Sequence, residues 1–172
     1  MPASRVRLMA FDVDGTLTAG GIHIGAQGEA FKTFSVRDGF GLTLLRDAGV
    51  RVALVTGRSS EIVTQRAREL RIDTVLQGVA DKADALRGLC AQMGISPAES
   101  GFMGDDWPDL PAMRAAGFAA AVAEAAPEVR RIAHWVASQP AGAGAVRELA
   151  EHLLRAQGRL QQALGRFDGT AA

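Results

Sequence analysis

The stretch RVRLMAFDVDGTLT, residues 5–18, carries an apolar run from Val6 to Phe11, then two aspartates, Asp12 and Asp14, directly before Gly15. Two like charges at the end of a hydrophobic strand repel each other unless something neutralises them. A hard cation that prefers oxygen ligands is the usual neutraliser. Residues two apart on a strand face the same way, so both carboxylates can converge on one site. Gly15 permits a sharp turn whose exposed backbone N–H groups can cradle an anion. A calcium loop starting at Asp12 would need glycine at its sixth position and glutamate at its twelfth. Those positions hold Leu17 and His23, so that reading fails.

Working outward, short β-rich runs alternate with helical patterns. GIHI and AFKTFSV flank the loop GAQGE and read as a hairpin near residues 20–35. DGFGLTLLRDAG (38–49) has a helical stripe stopped by Gly49. VRVALVTG (50–57) is a nearly continuous apolar strand, as expected of a strand buried on both faces. A helix over 59–71 follows, with Ser59 as its expected N-cap. Then come a strand at 74–78, a helix at 81–94 and a strand leading into a loop at 100–106, with shorter elements beyond. The final helical pattern from Gly144 is weakened by Gly158 and Gly165, and residues 161–172 are expected to be disordered. This alternation predicts an α/β fold: a Rossmann-like, doubly wound, mainly parallel sheet with helices on both faces and a protruding hairpin. The 172 residues make a single domain with its core at about 5–160.

In such sheets ligands bind at the carboxyl ends of strands, and that is where the chemistry-bearing residues fall. After the second core strand come Thr56, Gly57 and Arg58: a hydroxyl, a free N–H and a guanidinium, which suit a phosphate or carboxylate. After the third comes Lys82, in the first turn of a helix, where it opposes the dipole and is better employed on an anion. After the fourth come Asp105, Asp106 and Asp109 within GDDWPD, three carboxylates of which N-capping by Asp109 explains only one. Each group alone has a bland explanation as turn, cap or solvated side chain. Together they amount to one divalent-cation site and one phosphate site, and carboxylates without a His or Cys cluster favour Mg²⁺ over zinc.

Composition narrows the class. Formal net charge is zero, which offers nothing to nucleic acid or an anionic membrane and is compatible with self-association. No apolar run reaches membrane-spanning length. Asp12 and Asp14 interrupt the only candidate signal-peptide core, and the single cysteine, Cys90, permits no internal disulfide. A cytoplasmic location is the expectation.

The set D12-V-D14-G-T, V-T56-G, D-K82 and G-D105-D106-W-P-D109 resembles the signature of the haloacid dehalogenase-type phosphohydrolases. FSVRDGFG, VTGRSSEIV, QGVADK and GDDWPDLPAM further resemble its capless, tetrameric branch acting on phosphorylated acid sugars, over roughly residues 5–160. The spacing agrees: 25 residues separate Thr56 from Lys82, too few for a cap domain of usual size. The resemblance implies Mg²⁺-dependent hydrolysis of 3-deoxy-D-manno-octulosonate 8-phosphate to the acid sugar Kdo and inorganic phosphate, a step towards lipopolysaccharide. It implies Asp12 as nucleophile, Asp14 as general acid and then general base, and Thr56, Gly57 and Lys82 on the phosphoryl oxygens. It gives the Mg²⁺ to Asp12, the Asp14 backbone carbonyl and Asp105, with Gly15, Asp106 and Asp109 in support. It gives Ser35, Val36, Arg37, Asp38, Gly39, Arg58 and Arg66 to the substrate. It also implies a homotetramer in which the hairpin joins subunits and a neighbour's C-terminal segment covers each site. Arg58 and Glu69 lean towards the eight-carbon sugar, since relatives acting on a nine-carbon sugar tend to have Glu and Lys there. Thr43, Ala141 and Ala143 depart from the pattern by replacing an Arg, a Gly and a basic residue. The competing readings are a phosphatase for the nine-carbon sugar or for a broader phosphosugar set, and a catalytically silent oligomerisation module.

Overall fold

The structure, a computed structural model, describes residues 2–169. Six strands form one sheet: β1 (Leu8–Phe11), β4 (Arg51–Val55), β5 (Thr74–Leu76), β6 (Ser100–Gly104), β7 (Phe118–Ala121) and β8 (Trp135–Val136). Their order is β5-β4-β1-β6-β7-β8, and every neighbouring pair is parallel. Two further strands, β2 (His23–Gly25) and β3 (Gly28–Phe31), pair only with each other, antiparallel, as the expected hairpin. The turn between them is Ala26-Gln27, shorter than the five-residue loop the sequence indicated.

The helices are α1 (Val36–Asp47), α2 (Glu61–Glu69), α3 (Lys82–Met93), α4 (Leu110–Ala115), α5 (Pro127–Ile132), α6 (Ala145–Ala156) and α7 (Leu160–Asp168). From β1 the chain steps outward through β4 to β5, then crosses back to β6 and steps the other way to β8. Right-handed crossovers place α1 and α2 on one face and α3, α4 and α5 on the other. The packing follows this division, with α1 against α6, and α3 against α4 and α4 against α5. Buried on both faces, β1 reads as an unbroken apolar run: Leu8, Met9, Ala10 and Phe11 are all fully buried. The switch of direction falls between β4, β1 and β6, whose carboxyl ends open the crevice that holds the site.

Two local expectations are corrected, the N-cap of α2 and the disordered C-terminal stretch. The N-cap of α2 is Ser60, and its side chain makes no cap bond; its backbone N–H donates to Gln77 Oε1 at 2.7 Å instead. Asp81 caps α3 by accepting from the N–H groups of Ala83 and Asp84, each at 2.9 Å, which offsets Lys82 in that first turn. The C-terminal stretch expected to be disordered forms α7. Leu160 and Ala163 pack against the core, and Phe167 meets Phe40 edge-to-face at 5.4 Å. Residues 170–172 of that stretch lie outside the described residues.

Candidate active site

The Asp12 N–H donates to Met103 O at 2.9 Å, so the pairing of β1 with β6 carries the chain straight into the site. Asp12 is almost wholly buried, and Lys82 reaches it from the head of α3. Lys82 Nζ donates to Asp12 Oδ1 and Asp109 Oδ1, each at 2.6 Å. Asp109 Oδ2 accepts from the N–H groups of Asp105 and Asp106 at 3.0 and 3.3 Å. Asp109 therefore fixes both the acidic loop and the lysine, while Asp106 stays exposed at the rim. Asp105 accepts from Thr16 Oγ1 at 3.3 Å. Gly15 lies directly beneath it: φ is +95°, and a Cβ there would sit 2.2 Å from Asp105 Oδ2. Only glycine allows that approach.

Asp12, Asp105 and Asp109 bring carboxylate oxygens within 4.8 Å of one another. Three carboxylates against one ammonium leave two negative charges, which one divalent cation offsets. The titration behaviour tells the same story. Burial, with the charge of Asp109, pushes Asp12 up to about 6 despite Lys82. Burial, with Asp12 and Asp109, pushes Asp105 up to about 7. Burial works against the Lys82 charge, but Asp12 and Asp109 outweigh it and raise its pKa. Carboxylates this short of positive charge, with oxygen donors only, fit Mg²⁺. Both Asp109 oxygens are engaged, by Lys82 and the loop N–H groups, whereas Lys82 takes one oxygen of Asp12 and Thr16 one of Asp105.

Thr56 closes the crevice from β4. It is buried, its N–H donates to Leu76 O at 2.9 Å, and its Oγ1 accepts from the Arg58 N–H at 3.4 Å. A cavity of about 240 Å³ gathers Asp12, Asp14, Thr56, Gly57, Arg58, Lys82, Asp105, Asp106 and Asp109. A larger one, about 640 Å³, lies among Arg51, Arg71 and Thr74 at the opposite end of β4 and β5, and holds no comparable acid–base set.

The remaining sequence-predicted residues do not join the cavity. Asp38 is buried, and its two oxygens accept from the N–H groups of Gly144 at 3.1 Å and Arg147 at 2.9 Å, capping α6. Ser35 Oγ caps α1 by accepting from the Asp38 N–H at 3.3 Å. Arg66 lies against Gly39, where a Cβ would meet its Nη2 at 2.4 Å. Its guanidinium donates to Ser35 O and Glu69 Oε2 and stands over the Phe34 ring, so it ties α2 to α1. Val36 and Arg37 face outward from the first turn of α1.

Sequence reasoning missed the hairpin's part. Lys32, one residue past β3, donates through Nζ to Asp14 Oδ1 at 2.5 Å and pairs with Glu29 at 2.9 Å. Arg58 approaches the same two carboxylates at 3.6 and 3.3 Å, and Ser60 Oγ bonds Glu29. The only signal was a Glu and a Lys three apart in a short strand, a spacing too common to single out.

Residues 74–149 match the family model of the haloacid dehalogenase-like hydrolases. The chain is 40% identical over 163 residues to the 3-deoxy-D-manno-octulosonate 8-phosphate phosphatase of Yersinia pestis, covering 95% of this chain and 87% of that protein. The counterpart in Escherichia coli K12 is 39% identical over the same span of 163 residues. Among solved structures, the Moraxella catarrhalis phosphatase in complex with magnesium, phosphate and KDO aligns with a TM-score of 0.94 at 40% identity, covering 96% of this chain and 95% of that one. The cobalt-bound form of the Haemophilus influenzae phosphatase aligns at 0.92 and 38% identity, covering 94% and 95%.

Proposed function

The chain belongs to the 3-deoxy-D-manno-octulosonate 8-phosphate phosphatase family of haloacid dehalogenase-like hydrolases, and we propose that Asp12 and Asp14 divide the hydrolysis between them. The enzyme is a Mg²⁺-dependent phosphoric monoester hydrolase that converts 3-deoxy-D-manno-octulosonate 8-phosphate to Kdo and inorganic phosphate, in lipopolysaccharide biosynthesis. The observation that carries the division of labour is one cavity lined both by the buried Asp12–Lys82–Asp109 chain and by Asp14.

An Asp12 oxygen attacks phosphorus and forms the aspartyl-phosphate. The bond from phosphorus to the sugar oxygen breaks, its electron pair goes to that oxygen, and Asp14 supplies the proton. Water then attacks phosphorus, Asp14 takes its proton, and the electron pair of the bond to Asp12 returns to the carboxylate. Thr56, the Gly57 N–H and Lys82 stabilise the phosphoryl oxygens in both steps. Mg²⁺ would be held by Asp12, Asp105 and the Asp14 carbonyl, and supplies the charge that lets a carboxylate meet a dianionic phosphate. Arg58, half-exposed at the rim, suits the sugar's carboxylate.

We assign the assembly as a homotetramer joined through the hairpin, with a neighbouring subunit covering the open cavity. The support is the apolar hairpin surface, where Ile22, Ile24 and Phe31 are exposed. No helix among the described residues is long and apolar enough to cross a membrane. We place the enzyme in the cytoplasm, where its one cysteine, Cys90, buried and free, stays reduced.

The test is phosphate release from the 8-phosphate, from the nine-carbon acid-sugar phosphate and from simple sugar phosphates, with Mg²⁺ or EDTA. We expect a strong preference for the 8-phosphate, abolished by EDTA and by Asp12→Asn. Equal rates on every substrate would overturn the substrate assignment, and full activity of Asp12→Asn would overturn the nucleophile.

A further inference from the structure

Asp14 has two oxygens in different situations. Oδ1 accepts a 2.5 Å hydrogen bond from Lys32 Nζ. Oδ2 is buried and has no hydrogen-bond partner; its nearest cation is Arg58 Nε, at 3.6 Å, beyond bonding distance. A buried carboxylate oxygen without a partner is costly and is rarely left so without a use. This one belongs to a side chain that lines the reaction cavity.

Lys32 is poorly placed to serve as a surface charge. Its side chain is 1% exposed, so its ammonium has exchanged water for Asp14 and Glu29. Burial works against that charge, and the hydrogen bonds that Lys32 donates to the two carboxylates outweigh it. Glu29 is itself held by Ser60 at the head of α2 and by Arg58, so the lysine is anchored from the core domain across the hairpin. Two cations face two carboxylates, and the cluster is balanced in charge. Its geometry is what remains to be explained.

We propose that Lys32 is the positioning residue for Asp14: by occupying Oδ1 it fixes the place and plane of the carboxyl group that gives the proton to the leaving sugar and takes one from water. The proposal rests on the reading of Asp14 as the acid and base of the reaction. Without Lys32, the carboxyl group can rotate about its last bond and lose its fixed placement at the cavity. General acid–base catalysis contributes roughly 10²–10⁴-fold, and it depends on such placement.

The leaving group separates this role from general damage. A sugar alkoxide leaves only with a proton, whereas p-nitrophenolate leaves without one. The ratio kcat/KM reports steps through the first irreversible one, here loss of the leaving group, so the later water attack does not enter. Lys32→Met keeps the stem and removes the ammonium; Lys32→Arg keeps the charge and a donor. We expect Lys32→Met to lose roughly 10–100-fold in kcat/KM on 3-deoxy-D-manno-octulosonate 8-phosphate and under about threefold on p-nitrophenyl phosphate. Lys32→Arg should recover most of that difference. Thermal melts of both variants, with and without Mg²⁺, establish that they fold. Equal losses on the two substrates would overturn the positioning role, whether the cause is misfolding or a general disturbance of the site. Failure of the unaltered protein to release phosphate from either substrate would instead strike the underlying reading of Asp14.

Discussion

At the scale of single residues, Asp12 and Asp105 are where the fold carries its largest electrostatic debt, and the debt has a measurable sign. Both carboxyls hold their protons more tightly in the folded, metal-free chain than in the unfolded one: about 6 and about 7, against 3.8. Protonation therefore favours the folded state. The stabilisation is complete below the unfolded value and is lost as pH rises through about 6 and 7. Mg²⁺ needs the deprotonated carboxylates, so its effect runs the other way. In EDTA the melting temperature should fall from about pH 5 to about pH 8, and the rise produced by Mg²⁺ should grow over the same range. Melts at each pH, with EDTA or Mg²⁺, check this. A Mg²⁺ effect of equal size at every pH would place the cation away from these two carboxylates.

At the scale of elements, Asp38 splices two helices that are far apart in the chain. It sits in the first turn of α1, yet its carboxylate caps α6, more than a hundred residues on. A negative charge at that helix start suits the dipole, and its loss strands two backbone N–H groups in a buried joint. Asp38→Ala should cost about 2–3 kcal/mol in urea unfolding. KM should change little, by under about threefold; a normal stability with a large rise in KM would return Asp38 to the substrate. The same distinction marks what the sequence could disclose. Asp12, Thr56 and Asp105 were legible because each directly follows an apolar strand, and Lys82 because it opens the helix after one, so a parallel sheet alone brings them together. Asp38, Arg66 and Lys32 were not, because their partners are chosen by how helices and hairpin fold back on the sheet, which no local spacing records. Gly158, at φ +70°, does break the helix between α6 and α7, whereas Gly165 argues against helix within α7 and the packing of Leu160 and Ala163 against the core outweighs it.

At the scale of the whole molecule, the hairpin is too exposed to be finished as it stands. Ile24 is 79% exposed and Phe31 53%, and just beyond it Val36 is 83% exposed. The ribbon's strands pair in a sheet of their own, and a lone two-stranded ribbon is marginally stable in water. Open edges and an apolar surface on a chain of zero net charge favour pairing with further copies. The unaltered protein should therefore run as a homotetramer in size-exclusion chromatography with light scattering, and Ile24→Glu should shift it to smaller species. Tetramers persisting in Ile24→Glu would move the interface elsewhere. The kinetics of the dissociated variant then separate two consequences of assembly. If a neighbour only covers the open cavity, KM should rise while kcat on the sugar phosphate holds. If assembly also braces the hairpin that carries Lys32, kcat/KM should fall further on the sugar phosphate than on p-nitrophenyl phosphate, because the proton on Asp14 is then misplaced. The second pattern would make the subunit contact part of the acid–base machinery, since Lys32, proposed to orient Asp14, rides on the hairpin proposed to join the subunits.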